Sequence, residues 1–262
     1  MNDLENQEST GSLTPHTGGT DDMQLPSDDG PSHYHGEPYG LGDPNLRHKA
    51  IYIVGPSSSG KTTLCDAFAA DSGIPPSIYI KEIARNVMTS QGFTRAEVGT
   101  FKMQSAIMVA QLCAEAKSLE EDRNATKTGS PLLLSDRSAV DPTVYARSSG
   151  GTGGRDMQLK LLQTPEFQAA LPFYRRSLFG KIQAMSSKCC LPSGLHIVML
   201  NPVPEWIKDD GVRSLEDPWQ YCNYLRDTLR ELTIPFREVG EDVKDIDDRV
   251  RLVRRWMSWR EC

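Results

Sequence analysis

Five short apolar runs punctuate the chain, at residues 51–54, 77–81, 131–135, 195–200 and 234–239. Each is bounded on at least one side by Gly, Pro or a charged residue, and none alternates with polar positions along its length. Such runs predict strands buried on both faces. Between them the apolar spacing changes to three or four residues. A first helix is expected from Leu64 to Ala70, stopping near Gly73, and a second from Glu82. Thr94 and Glu97 have the spacing of a capping box. It predicts the start of a long helix with Val98, Phe101, Val109, Leu112, Ala116 and Leu119 on its apolar face. Asp217-Pro218 reads as an N-cap followed by proline at the first helical position, ahead of a face of Cys222, Leu225, Leu229 and Leu232. A last helix presents Ile246, Val250, Val253 and Trp256. Apolar strands alternating with amphipathic helices define an α/β class with a mainly parallel five-stranded sheet covered on both sides. Gly150, Gly151, Gly153 and Gly154 predict a flexible loop beside the carboxyl edge of that sheet.

Residues 1–46 break this pattern. They hold nine of the chain's 35 acids, none of its 29 Lys and Arg, and hardly an aliphatic residue. Too little apolar surface is available to offset ordering entropy, so residues 1–47 are expected to be a disordered acidic tail and residues 48–262 the folded domain. Outside residues 1–46 there remain 26 acids against 29 bases. That faint positive balance is too mixed for a nucleic-acid surface, and it suits anionic small molecules. His33 and His35 lack nearby Cys, which favours a solvated tail over a metal site. The six cysteines show no C-x-x-C spacing and read as reduced thiols. No basic-then-apolar leader precedes them, and no run approaches the ~20 apolar residues of a membrane span. These features predict a soluble, cytoplasmic protein.

The first strand leads into Gly55-Pro56-Ser57-Ser58-Ser59-Gly60-Lys61-Thr62, which satisfies G-x-x-x-x-G-K-[ST] at every position. The glycines let successive N–H groups curl inward onto phosphate oxygens at the positive end of the following helix. Lys61 supplies a point charge for the β- and γ-phosphates and Thr62 a hydroxyl for Mg²⁺. Thr63 continues the loop into the helix. A strand before and a helix after are the context this motif requires.

The third run is followed by Asp136, where an acid supports Mg²⁺ in P-loop proteins. Arg137 follows it, whereas AAA+ motors and similar ATPases carry Glu there to polarise water. Asp-Arg instead resembles nucleoside and nucleotide kinases of the thymidylate-kinase kind. The fourth run is followed by Asn201-Pro202-Val203-Pro204-Glu205, and no Asn-Lys pair occurs in the chain, which disfavours a guanine-selective GTPase. Four of five histidines lie in or beside the tail and His196 begins a strand, so no histidine chemistry is expected. Glu82 and Arg85 follow the second run, at the strand ends where ligands collect. Glu82 is a candidate to accept a proton from a substrate hydroxyl, and Arg85 to steady phosphate charge. The plain alternative is an i,i+3 surface ion pair. Gln104 is either a reader of a base edge or a solvent-facing side chain. Trp206 and Asp210-Gly211-Val212-Arg213 have the make-up of a lid, with an aromatic anchor, a glycine hinge and an arginine to reach a transferring phosphoryl group.

Taken together, the motif at 55–62, Glu82-Ile83-Ala84-Arg85, Ser135-Asp136-Arg137 with Asp141 and Tyr145, and Trp206 with Asp210 through Arg213 resemble the NadR-type AAA domain family over residues 49–257. Nicotinamide riboside kinase and thymidylate kinase are relatives of that kind. The resemblance implies a three-layer, kinase-like P-loop NTPase fold that binds ATP, or GTP in some members, with Mg²⁺. It implies phosphoryl transfer to a nucleoside- or nucleotide-type hydroxyl acceptor. The alternative is a regulatory nucleotide switch or slow NTPase acting through protein or lipid partners. The Gly-rich stretch at 150–154 departs from the compact pattern expected around the acceptor.

Removing residues 1–46 should leave the melting temperature and nucleotide affinity of the remainder unchanged, because that segment has nothing to add to a core. A fall of several degrees in a thermal melt would show that the tail packs on the domain.

Overall fold

In the computed structural model, residues 49–125, 132–175, 194–207 and 217–258 are described. Strand β1 (Lys49–Val54) is the centre of a sheet ordered β2-β3-β1-β4-β5. Its other members are β2 (Tyr79–Ile80), β3 (Leu132–Asp136), β4 (Gly194–Leu200) and β5 (Phe236–Val239). Every pairing among them is parallel. Parallel neighbours need crossovers over the sheet faces, so both faces carry helices. Ile51 and Ile53 point into a cluster with Leu64, Cys65 and Phe68 of α1 (Lys61–Ser72) and Val250 and Val253 of α8 (Ile246–Ser258). Ala50, Tyr52 and Val54 point into the larger cluster on the opposite face. Burying a side chain such as Leu64 or Phe68 contributes about 1.5–3 kcal/mol. That burial anchors the first turns of α1, and with them the loop that precedes it.

The larger cluster receives α2 (Ile83–Gln91), α3 (Phe101–Ala125), α4 (Val140–Ser149), α5 (Gly154–Leu162), α6 (Pro165–Tyr174) and α7 (Pro218–Glu231). α1 stops at Gly73, whose left-handed conformation returns its N–H to Ala69. α7 starts as its sequence predicts, with the Asp217 carboxylate accepting from the Trp219 amide.

Four expectations need correction. The second apolar run is a strand only at Tyr79–Ile80, because Pro76 opens a 3₁₀ turn over Pro76–Ile78. The fifth forms only from Phe236, since Pro235 has no amide for a ladder and Ile234 N–H is taken by Leu229 at the end of α7. The Thr94–Glu97 capping box forms but starts a separate 3₁₀ turn, Arg95–Glu97. α3 begins afterwards, with the Thr100 hydroxyl accepting from the Met103 amide at 3.4 Å. The glycines at 150–154 are no loop. Gly151–Gly153 is a 3₁₀ turn that runs straight into α5. A Cβ on Gly154 would lie 2.4 Å from the Arg147 carbonyl, so its absence lets α5 close against α4.

The buried stripe of α3 also differs from the apolar pattern. Phe101 is exposed, while Met103, Ile107, Met108 and Leu112 are buried together with Gln104, Gln111 and Glu115. Glu115 lies fully buried against the sheet. Its carboxylate accepts from Tyr52 (3.0 Å), Tyr174 (2.7 Å) and Gln111 (2.9 Å). Burial pushes Glu115 up to about 7, with the three hydrogen bonds opposing the rise. Burial and the adjoining carboxylate push the Tyr52 and Tyr174 hydroxyls well above their usual range, which keeps them donors.

The sign of the resulting pH dependence follows from linkage. The folded-state value of about 7 exceeds the ordinary 4.5, so the folded state holds the Glu115 proton more tightly. Its contribution to stability is full below the ordinary value and is lost as pH rises toward the folded one. Glu115→Gln should therefore flatten the slope, gaining about 2–3 kcal/mol on the parent between about pH 5 and about pH 8. Urea unfolding at the two pH values checks this, and an unchanged slope would assign the titration to another group.

Candidate functional site

β1 ends at Val54, and the chain reverses through the loop of residues 55–60 before α1. Gly55 sits at φ +143°, and a Cβ there would lie 2.6 Å from the backbone carbonyl of Leu200 on β4. Gly60 takes the left-handed conformation that turns the chain into the helix. It supplies no capping side chain, and the first turn of α1 contains no acid. The amides of that turn are thus left to an anion. Inside the loop, Lys61 Nζ donates to the Pro56 carbonyl (2.5 Å) and to the Ser59 hydroxyl (3.4 Å), and both Ser59 and Lys61 are buried. Ser57 Oγ lies 3.3 Å from the Tyr145 hydroxyl of α4.

The register pairs Ile53 with Asp136. This brings Asp136 beside the loop, where the Thr62 hydroxyl donates to Asp136 Oδ2 at 2.5 Å. The other carboxylate oxygen is buried with no partner among the described residues. A hydroxyl beside a carboxylate with an unused oxygen is a donor set suited to a hard divalent cation such as Mg²⁺. The two residues expected to share a metal are adjacent.

Arg137 turns the other way. Its backbone is left-handed at φ +91°, a conformation that costs a non-glycine residue about 1–3 kcal/mol. Its amide donates to the Ile53 carbonyl at 3.0 Å. Its guanidinium reaches Glu82 (3.1 Å), Asp141 (3.3 Å) and the Gly55 carbonyl (3.4 Å), over the Tyr145 ring at 5.5 Å. Asp141 also accepts from the Ser138 amide and hydroxyl and from Tyr221. Arg85 donates to the second Glu82 oxygen at 3.1 Å, so the plain i,i+3 ion pair forms. Glu82 is shared between both arginines and is 16% exposed, against 49% for Arg85.

A small cavity adjoins Arg137 between α2, α3 and α4, walled by Ile83, Val98, Met103, Gln104 and Ile107. Its volume of about 20 Å³ has space for about one water. Gln104 is buried and donates to the Val98 carbonyl at 2.6 Å, which removes the solvent-facing alternative. His196 is buried within β4, in line with a structural role.

Trp206 closes a 3₁₀ turn after β4, and its ring lies 4.6 Å from the Arg249 guanidinium. Arg249 is almost fully buried and donates to the Ser59 carbonyl (3.0 Å) and the Val243 carbonyl (2.6 Å). Burial lowers its pKa. Arg249 was not legible as a site residue, since one arginine on a polar helix carries no local signal. The rest of the expected lid, including Arg213, lies outside the described residues, as does the expected acidic tail.

A parallel sheet whose central strand delivers a phosphate loop beside a metal-competent acid is the arrangement of P-loop proteins with a kinase-like fold, and this chain has it. A family model described as an AAA domain matches residues 50–249. The chain belongs to that family. Among solved structures it is similar to NadR in complex with NR, at 19% identity and TM-score 0.53, over 77% of this chain and 50% of that one. NadR in complex with NAD and AMP-PNP matches at 15% identity and TM-score 0.50, over 77% and 48%. Deoxyadenosine kinase from M. mycoides matches at 16% identity and TM-score 0.44, over 79% and 98%. The NadR likenesses show the fold, and the chain spans about half the length of those NadR chains. A search of curated proteins finds no match. Among the described residues no helix is long and apolar enough to cross a membrane.

Gly55→Ala should destabilise the domain by at least about 2 kcal/mol, because the Leu200 carbonyl cannot yield and the backbone conformation disfavours a side chain. Thermal melts of the two proteins should show it. A variant with the parental melting temperature would mean that the loop adopts another path.

Proposed function

We propose that residues 48–262 form a phosphotransferase domain that moves the γ-phosphoryl group of ATP to the hydroxyl of a nucleoside-type acceptor. The observation that carries this reading is the divergence of two consecutive side chains. Asp136 faces Thr62 beside the phosphate loop, while Arg137 bonds Glu82 and lines the small cavity between α2, α3 and α4. One turn of chain thus borders both a phosphate site and a neighbouring cavity, as a transfer reaction requires.

In this reading Gly55, Pro56, Ser57, Ser58, Ser59, Gly60, Lys61, Thr62 and Thr63 bind the triphosphate. Thr62 and Asp136 hold Mg²⁺, which when bound would neutralise charge on the phosphate oxygens. Lys61 stabilises negative charge on the transferring group. The acceptor oxygen forms a bond to the γ-phosphorus as the bond to the ADP oxygen breaks. The hydroxyl proton passes to Glu82, which Arg137 and Arg85 hold in place. Arg213 would act only in the closed state and so favour the transition state over bound ATP.

A second reading, a nucleotide switch with an acidic contact tail, is favoured by the size of that cavity. Pockets for small molecules run from about 300 Å³ upward. An acceptor therefore needs α2 and α3 to move apart.

ATP consumption with and without a panel of nucleosides separates the two readings. Acceptor-stimulated turnover is expected, while tight ATP binding without turnover across the panel would favour the switch. Lys61→Ala should lose most triphosphate binding or turnover in a folded protein. Arg213→Ala should lower kcat by roughly 10³-fold or less while ATP affinity changes little. A parental kcat for Arg213→Ala beside a dead Lys61→Ala would remove the lid.

A further inference from the structure

The left-handed backbone at Arg137 has to be held by something. None of the sequence motifs supplies it, because the turn is gripped from below by side chains of α3, β3 and α6. The Arg137 carbonyl accepts from Ser135 Oγ at 2.7 Å and lies 3.5 Å from Gln111 Nε2. Gln111 Nε2 also donates to Ser135 Oγ at 3.0 Å and to Glu115 at 2.9 Å. Two residues further along, the Ala139 amide donates to the Tyr174 hydroxyl at 3.1 Å, and that hydroxyl donates to both Glu115 oxygens at 2.7 and 2.8 Å. Both ends of the turn therefore lead, through one or two side chains, to the Glu115 carboxylate. Tyr52, the third donor, comes from β1.

The donor count explains why an acid occupies this place. Gln111 must present its amide nitrogen toward Ser135, Arg137 and Glu115 together, and Tyr174 must point its proton away from the Ala139 amide. Once ionised, the carboxylate offers only acceptors, so it forces both orientations. An apolar residue would leave the Gln111 amide free to flip and the Tyr174 hydroxyl free to rotate.

We propose that Glu115 is a positioning residue for the site. Through Gln111, Ser135 and Tyr174 it holds the Arg137 turn left-handed, so that Asp136 faces Thr62 while Arg137 faces Glu82. It touches neither nucleotide nor acceptor and acts only through the geometry of that turn. The functional part of this inference rests on the phosphotransferase reading. The tether itself does not, which lets the two fail separately.

The test uses the full chain and two readouts. The first is the Arg137 Nε–Hε signal in a ¹H–¹⁵N spectrum, assigned by its disappearance in Arg137→Lys. In the parent it should be resolved and protected, because the side chain is 8% exposed and bonded to Glu82. The second is kcat and KM for ATP in the acceptor-stimulated assay. Glu115→Leu should move the signal to the position of a solvent-exposed arginine and lower kcat by roughly tenfold to a hundredfold, with KM for ATP nearly unchanged. Glu115→Gln keeps one oxygen for Gln111 and Tyr174 and gives up only the contacts that Tyr52 and Tyr174 make to the other, so it should retain both readouts, as should Tyr52→Phe.

Should Glu115→Leu fail to fold, Ser135→Ala cuts the tether at the Arg137 carbonyl and should give the same loss. A folded Glu115→Leu or Ser135→Ala with the parental Arg137 signal overturns the tether. Loss of the signal in Glu115→Gln also overturns it, since both contacts to the turn survive that change. If the parent shows no turnover with any acceptor, the phosphotransferase reading falls, and the Arg137 signal still decides the tether.

Discussion

One backbone hydrogen bond organises the site: the Arg137 amide donates to the Ile53 carbonyl, extending the β1–β3 ladder one residue beyond β3. It locks the carboxyl ends of the two central strands level with each other. Gly55 and the start of the phosphate loop then stand directly beside Asp136. From that level, consecutive residues of one strand end turn to opposite sides. A register shift of one residue would exchange their faces and separate Thr62 from Asp136 and Glu82 from Arg137 together.

The loop itself is prepared by taking up its carbonyls. Gly55 O accepts from Arg137, Pro56 O from Lys61 and Ser59, and Ser59 O from Arg249. Buried backbone groups need partners, and here cationic side chains supply several of them. The carbonyls face the surrounding protein, which leaves the amides of the loop to face an anion. The donors also add positive charge around a site built for negative charge. The buried arginines come from different elements, Arg137 from the end of β3 and Arg249 from α8, so the sheet and a covering helix both contribute to one loop.

The sheet was legible because its strands are apolar on both faces, and β1, β3 and β4 formed where their runs stood. The two edge strands shrank because prolines at 76 and 235 sit inside or against their runs. α3 stands where its apolar spacing places it, but its buried face departs from that spacing, for a physical reason. Gln104, Gln111 and Glu115 are polar yet buried, satisfied by the Val98 carbonyl, by Ser135 and by two tyrosine hydroxyls. Hydrophobic periodicity has no means of counting a polar residue whose partners lie elsewhere in the chain. The glycines at 150–154 misled in the opposite direction, since their missing side chains serve the close contact of α4 with α5.

The sequence by itself determined the phosphate loop, the acid that faces it and the class of fold, because each is a local pattern: a run of glycines and hydroxyls, a strand ending in Asp, a period of apolar residues. Only the tertiary structure decided that Glu82 is held by Arg137, 55 residues away, that Glu115 meets Tyr52 across 63, and that Arg249 bonds the loop across 190. Such pairings are set by strand order and helix placement. They leave no trace in spacing, because a charged or hydroxyl side chain looks the same in sequence whether it meets water or its partner.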